Sequence, residues 1–200
     1  MSKKVVVGPD LTPDWLRKRR RIMGEIDDQL IRGLEELGKG LTLDQLQLAV
    51  EHRNSFEVAN IYTVTINRAH TLPKMIQSGH YDWANDDITP EHFPIVGEGV
   101  VEAKLELIHF NRPMDPEDVL KEFAKAGLEP AKIEHLLAFG AEYPEEQRKF
   151  PIIALGSVWQ DRFDRPHVPG LWGDSRERGL GLDYFGYRWV GFCRFLALRK

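Results

Sequence analysis

Pro151-Ile-Ile-Ala-Leu-Gly-Ser-Val-Trp159 opens the last quarter of the chain, and Arg194-Phe-Leu-Ala-Leu-Arg-Lys200 closes it. Phe150-Pro-Ile-Ile-Ala-Leu155 reads as a buried strand, and Cys193-Arg-Phe-Leu-Ala-Leu198 as the last strand, short apolar runs bounded by turn residues. Between them lies a concentration of rings. Nine of the twenty aromatics fall within these fifty residues, among them Trp159, Trp172, Trp189 and the run Tyr184-Phe185-Gly186-Tyr187. Rings this dense, interleaved with Gly, Arg and Asp, point to a recognition surface on a β scaffold rather than a plain core. Trp159 and Trp189 are the expected core anchors.

Working back toward the N-terminus, Glu129-Pro130 predicts the start of a helix that turns Ile133, Leu136 and Leu137 inward. Asp115-Pro116-Glu117-Asp118 supplies a cap residue, a first-turn proline and two acids for a short helix burying Val119, Leu120 and Phe123. Ahead of it, Val101, Ala103, Leu105 and Leu107 alternate with Glu102, Lys104 and Glu106, the pattern of a half-buried strand. A second such strand is predicted at Val58, Tyr62, Val64 and Ile66. The section from Leu72 to Gly99 reads as a long ordered loop, since it is rich in turn residues but holds Tyr81, Trp83, Phe93 and Ile95, which need burial. His80, Asp82, Asp86, Asp87 and His92 within it match no metal-ligand spacing and read as polar turn residues.

At the N-terminus, Thr12-Pro13-Asp14 begins an amphipathic helix through Trp15, Ile22, Ile26 and Leu34, stopped by Gly38-Lys-Gly40. A second helix follows over Leu43, Leu46, Ala49 and Val50. These form a predicted helical hairpin over residues 12–53. The domain reading is therefore an N-terminal hairpin, 1–55, followed by an α+β domain, 56–200, with its binding face in 156–200.

With 200 residues, 42% apolar and 29% charged, the composition is that of an ordinary soluble globular chain. A formal charge of −4 excludes a surface that is one phosphate clamp. The locally basic Arg17-Lys-Arg-Arg-Arg21 reads first as a solvated helix face. A single cysteine, Cys193, excludes an internal disulfide framework, and no 18-residue apolar run or signal-peptide h-region occurs. The expected location is cytoplasmic, with no membrane partner.

From Val100 onward the order is strand, helix, helix, then several strands, with the chain ending inside the sheet. This resembles the C-type lectin-like fold. Within it, Leu128-Glu-Pro130 before the second helix, Leu155-Gly-Ser-Val-Trp159 and Gly191-Phe-Cys-Arg194 resemble motifs of formylglycine-generating-enzyme-like domains and the variable proteins of diversity-generating retroelements. The likeness covers about half the chain. It implies a mixed α+β domain with two helices and a mainly antiparallel sheet.

The enzymatic members of that branch use a cysteine pair and copper, whereas Cys193 stands alone in this sequence. One thiol does not make a two-thiolate site, and Cys193 reads as a packing residue. Ser157, His167 and Asp174 are the residue types for acyl chemistry, but no strained nucleophile turn surrounds Ser157. We therefore expect no catalysis, no cofactor and no metal.

The variable proteins instead diversify by adenine substitution, which leads away from Trp, Lys, Glu, Gln and Met. Those types make up 43 of the 200 residues but only three of those from 161 to 192, namely Trp172, Glu177 and Trp189. Strand and turn preferences push the same way. The expected binding face comprises Asp161, Arg162, Phe163, Asp164, Arg165 and His167; Trp172, Asp174, Ser175, Arg176 and Arg178; and Asp183, Tyr184, Phe185, Tyr187, Arg188 and Phe192. Its expected ligand is a protein or another macromolecule. The alternative is a structural or regulatory module of a mobile element or defence system that contacts nucleic acid through Arg17–Arg21. That reading ranks lower and predicts strongly salt-dependent binding.

Overall fold

The computed structural model describes residues 57–199. The hairpin expected over 12–53, and with it Arg17–Arg21, lies outside the described residues. The rest is mixed α+β. One nine-stranded sheet runs in the order β1-β3-β9-β5-β7-β8-β2, with β4 paired to β9 and β6 to β7. The strands are β1 Glu57–Asn67, β2 Trp83–Ala84, β3 Val100–His109, β4 Leu128–Pro130, β5 Ile152–Ile153, β6 Trp159–Gln160, β7 Pro166–Gly173, β8 Arg178–Tyr184 and β9 Arg194–Arg199. The helices are α1 Leu72–Ser78, α2 Pro116–Lys125 and α3 Ile133–Glu142. Pairing is antiparallel except for β5 with β9 and β2 with β8.

The alternation read from β3 determines the layering. Leu105 and Leu107 pair with Leu198 and Leu196 of β9 and turn to one face, where α1 and α3 pack with Tyr62, Val64, Leu171 and Leu180. Ile108, paired with Phe195, turns to the other face, where α2 contributes Val119 and Phe123. The sheet is thus covered on both sides, and β9 at its centre is apolar on both faces, as a doubly buried strand must be. Glu106, expected on a solvent face, is buried at 2% exposure because α2 covers that face. Arg199 grips both its oxygens, at 2.7 and 3.2 Å, so the buried carboxylate has the charge partner it requires.

Two further sequence expectations change. The segment from Leu72 to Gly99 is not simply a loop: it contains α1, in which Pro73 is a first-turn proline and Leu72 and Met75 are buried, and β2, which adds to β8. Residues Glu129 and Pro130 do not open a helix. They continue β4 against β9, and Ala131 N–H extends the pairing to Leu196 C=O at 2.9 Å. The helix opens at Ile133, whose N–H donates to Ser157 Oγ at 3.0 Å while Lys132 N–H donates to His135 Nδ1 at 3.2 Å. A hydroxyl from a distant strand connection thus takes the place of a local cap.

The two expected tryptophan anchors also differ. Trp189 is buried edge-on to Phe195, its backbone exchanging two hydrogen bonds with Met114 at 2.8 and 2.9 Å. Trp159 is only partly buried against the larger core. Trp189→Ala is therefore expected to cost about 3–5 kcal/mol in urea unfolding, the range for a buried large aromatic. Trp159→Ala is expected to cost less, about 1–2 kcal/mol, since part of its ring is already in water. An equal loss at both positions would contradict this placement.

Candidate ligand-binding surface

At one end of the β6–β7 hairpin, Trp159 pairs with His167 and Gln160 with Pro166, leaving residues 161–165 as the turn. Asp161 organises it. Its Oδ1 accepts the N–H groups of Phe163 at 2.8 Å and Arg165 at 3.1 Å, the local pattern that aspartate favours in turns. Its Oδ2 accepts Arg165 Nε at 2.8 Å and lies 3.3 Å from His167 Nε2. The Arg165 guanidinium foremost, opposed by burial and reinforced by the two backbone donors and His167, holds the Asp161 carboxyl well below its ordinary range. Asp164 turns the corner with φ 58°, a left-handed conformation that aspartate tolerates.

This knot presents Phe163. Its ring is 60% exposed, with the Arg162 guanidinium 4.7 Å and the Arg165 guanidinium 5.1 Å from its centroid. Two cations on one ring hold an apolar side chain in water at a defined position. From the same hairpin a ladder of rings crosses the surface: His92 stacks on Trp159 at 4.4 Å, Trp159 stands 5.8 Å from His167, His167 is 6.0 Å from Tyr184, and Tyr184 is 5.2 Å from Tyr187. Tyr187 at its end is 60% exposed. His92 is held by its Nδ1, 2.7 Å from Asp87 C=O.

The remaining expected residues do not all join this cluster. Arg162, Asp164 and Arg188 are exposed near it or in its connecting loops. Trp172, Asp174, Ser175 and Arg176 lie at the opposite end of the β7–β8 hairpin, about 20 Å away at ~3.4 Å per residue. There Trp172 lies against Gly179, where an added Cβ would stand 2.1 Å from its ring, and 6.2 Å from Trp83. The Asp174 carboxylate is spent on the N–H groups of Arg176 and Glu177, which hold it below its ordinary range. Phe192 is exposed just before β9, whose first residue is level with Leu171, so it lies toward this second end. Phe185 packs on the α2-side core.

Arg178 is buried at 6% exposure, a correction to its expected place on the face. Its guanidinium donates to Gly79 C=O at 2.8 Å, Gly140 C=O at 2.6 Å and Gln147 Oε1 at 2.9 Å. The single expected face therefore separates into two clusters. The sequence reading missed His92 and the exposed Val158 and Val190, because isolated apolar residues and a loop histidine carry no periodic signal. Ser157, His167 and Asp174 are engaged with three different partners, the α3 N-terminus, Asp161 and the 174–177 turn.

Comparison with protein-family models, curated proteins and solved structures finds no match for this chain. Among the described residues no three His, Cys, Asp or Glu side chains converge as metal ligands, and no helix is long and apolar enough to cross a membrane.

Asp183 sits behind the ladder on β8, paired with Val168, and burial pushes its carboxyl above 3.8, with His167 opposing the shift more weakly. A raised folded-state pKa means the fold disfavours the ionised form, so stability is lost as pH rises through the window just above 3.8. Asp183→Asn should then be more stable than the parent at pH 7 and lose most of that advantage by about pH 3.5, just below the ordinary Asp value. Paired urea melts at the two pH values check this; a variant less stable at pH 7 would contradict it.

Proposed function

We propose that the chain is a non-catalytic ligand-binding protein with a C-type lectin-like domain, and that the surface around the 161–165 turn receives a protein or another macromolecule. The observation that carries this reading is the ring ladder from His92 to Tyr187, with a phenylalanine held outward by two arginines on the turn of the hairpin that bears Trp159 and His167. Tyr, Trp, Phe and Arg carry interface energy because they bury large area at low entropy cost. Rings already fixed by neighbours lose little freedom on binding. Asp161 Oδ2, which accepts Arg165 Nε, also lies 3.3 Å from His167 Nε2, and this links the Phe163 turn to the ladder.

The topology supports the fold assignment: β3, two helices, further strands, and a last strand β9 returning beside β3. It also supports a diversified receptor. Leu171, Leu180, Trp189 and Phe195 are buried, whereas Phe163, Tyr187, Arg188 and Phe192 are exposed. Substitution at such exposed positions changes stability by only about 0.5 kcal/mol, so the ligand can change while the fold persists.

The combined variant Phe163→Ala, Tyr187→Ala, Arg188→Ala should unfold within about 1.5 kcal/mol of the parent. It should also retain less than a tenth of any ligand that the parent retains in quantitative affinity capture. Undiminished recovery would refute the site. The diversified-receptor reading makes its own prediction about the gene. A second, near-identical copy of the segment encoding roughly Gly156 to Lys200, differing mainly at adenines, should lie nearby beside a reverse transcriptase. Sequencing the locus tests it, and absence of both would end that reading.

A further inference from the structure

On the face of the sheet opposite α2, the end of β1, α1 and α3 surround a cavity of about 160 Å³. That is space on the scale that admits a benzene-sized molecule. Met75, Leu137 and Ala138 form an apolar wall. Glu134 also lines the cavity, with its side chain only 4% exposed. His135 Nδ1 stands 3.9 Å from this carboxylate. That nitrogen accepts Lys132 N–H at 3.2 Å and so has no proton to give. No donor among the described residues comes within hydrogen-bond distance of the Glu134 carboxylate. Neither Glu134 oxygen is fully closed off, so the carboxylate faces the water of the cavity rather than a protein donor. Its place in the first turn of α3 favours negative charge, but supplies no counter-ion.

The chemistry of the lining indicates what could replace that water. A metal ion needs several converging oxygen or nitrogen ligands, and no three such side chains converge among the described residues. One carboxylate facing an apolar wall instead matches a monovalent organic cation carried on a short aliphatic body. A second carboxylate, Glu142, stands at the exposed rim, its Oε1 accepting Thr65 N–H at 2.7 Å. It adds negative potential along the way in. We infer that this cavity binds a primary ammonium or guanidinium group on a short alkyl chain, with Glu134 as its counter-ion. The cavity shares no residue with the ring ladder, so the inference stands apart from the proposed macromolecular site.

The test uses the full chain, with the Met75 methyl resonance as reporter and n-butylamine, n-butylguanidine, n-butanol and butyrate as probes. The two cations should shift it saturably, while butanol and butyrate bind at least tenfold more weakly. Glu134→Gln preserves shape and should weaken n-butylamine at least tenfold without removing the cooperative melt. Ala141→Leu, which fills the space from α3, should abolish the shift, and it tests the site even if Glu134→Gln fails to fold. N-acetyl-lysine methylamide distinguishes the source: binding at least as tight as n-butylamine assigns the site to a lysine side chain of a peptide, and weaker binding assigns it to a free amine. Three results would each overturn the inference. These are equal binding of butanol and butylamine, undiminished butylamine affinity in Glu134→Gln, and displacement of butylamine by Mg²⁺ or Zn²⁺ bound at the same residues.

Discussion

The buried guanidinium of Arg178 holds together the half of the molecule that carries the candidate surface. Placing a cation in the interior is costly unless its donors find acceptors. Here the two terminal nitrogens find them in Gly79 C=O at the end of α1, Gly140 C=O in the last turn of α3, and Gln147 Oε1, while Nε has no partner among the described residues. The last turns of helices present unpaired carbonyls and the negative end of the helix dipole, so two helices share one positive charge. Tyr81 lies against the same group at 5.2 Å, and Gly140 makes room for it, since a Cβ there would stand 2.2 Å from the Tyr81 oxygen. The helix accepts a residue that weakens it because a larger one would push the tyrosine off the cation.

From this clamp the connections run outward. The Arg178 backbone exchanges hydrogen bonds with Asp82, through Arg178 N–H to the carboxylate at 2.7 Å and Asp82 N–H to the carbonyl at 2.8 Å, and β2 follows directly from it. Gln147 Nε2 donates to Trp172 C=O and Gly179 C=O, seating its loop on the β7–β8 hairpin, while Arg148 reaches the carbonyl of Asp174 in the turn beyond. One end of the hairpin is thereby fixed by a network around a single charge. The other end is free to present the turn and its rings. Asp161 gives that turn its shape with four contacts from one carboxylate, so Phe163 is positioned before any ligand arrives. Such prior ordering reduces the entropy lost on association.

Much of this frame was legible in the sequence, for reasons that can be named residue by residue. The alternation at Ala103, Leu105 and Leu107 located β3, and Asp115-Pro116 located the start of α2, because each is a local signal whose physics acts over a few residues. The failures are equally specific. Pro130 resembled a helix opening, but its missing N–H is harmless in a short strand, where β4 meets β9 over only three residues. The helix α1 is seven residues long with no side-chain cap, too short for periodicity to register. Its stability comes from Leu72 and Met75 meeting α3, a tertiary effect absent from any local window. Glu106 was read as solvent-facing because the strand pattern cannot tell that a helix will cover the second face of the sheet.

Arg178 is the most instructive of these, because its placement follows from the strand period once β8 is known. Residues Arg178, Leu180, Leu182 and Tyr184 alternate with Gly179, Gly181 and Asp183, so all four project to one face. Leu180 lies in the core beneath α1 and α3, which obliges Arg178 to be interior and Tyr184 to continue the same face. His167, opposite Tyr184 on β7, and Trp159, opposite His167 on β6, belong to that face too. The ring ladder is therefore the rim of the main core where helices no longer cover it, rather than a patch added to a finished surface. Its inner member Trp159 already packs against the core, as does Leu182 on the same face, whereas Tyr187 and the Phe163 of the adjoining turn are exposed. The energy of folding and the capacity for contact are thus graded along one face, and a residue's position along it decides which of the two a substitution will alter.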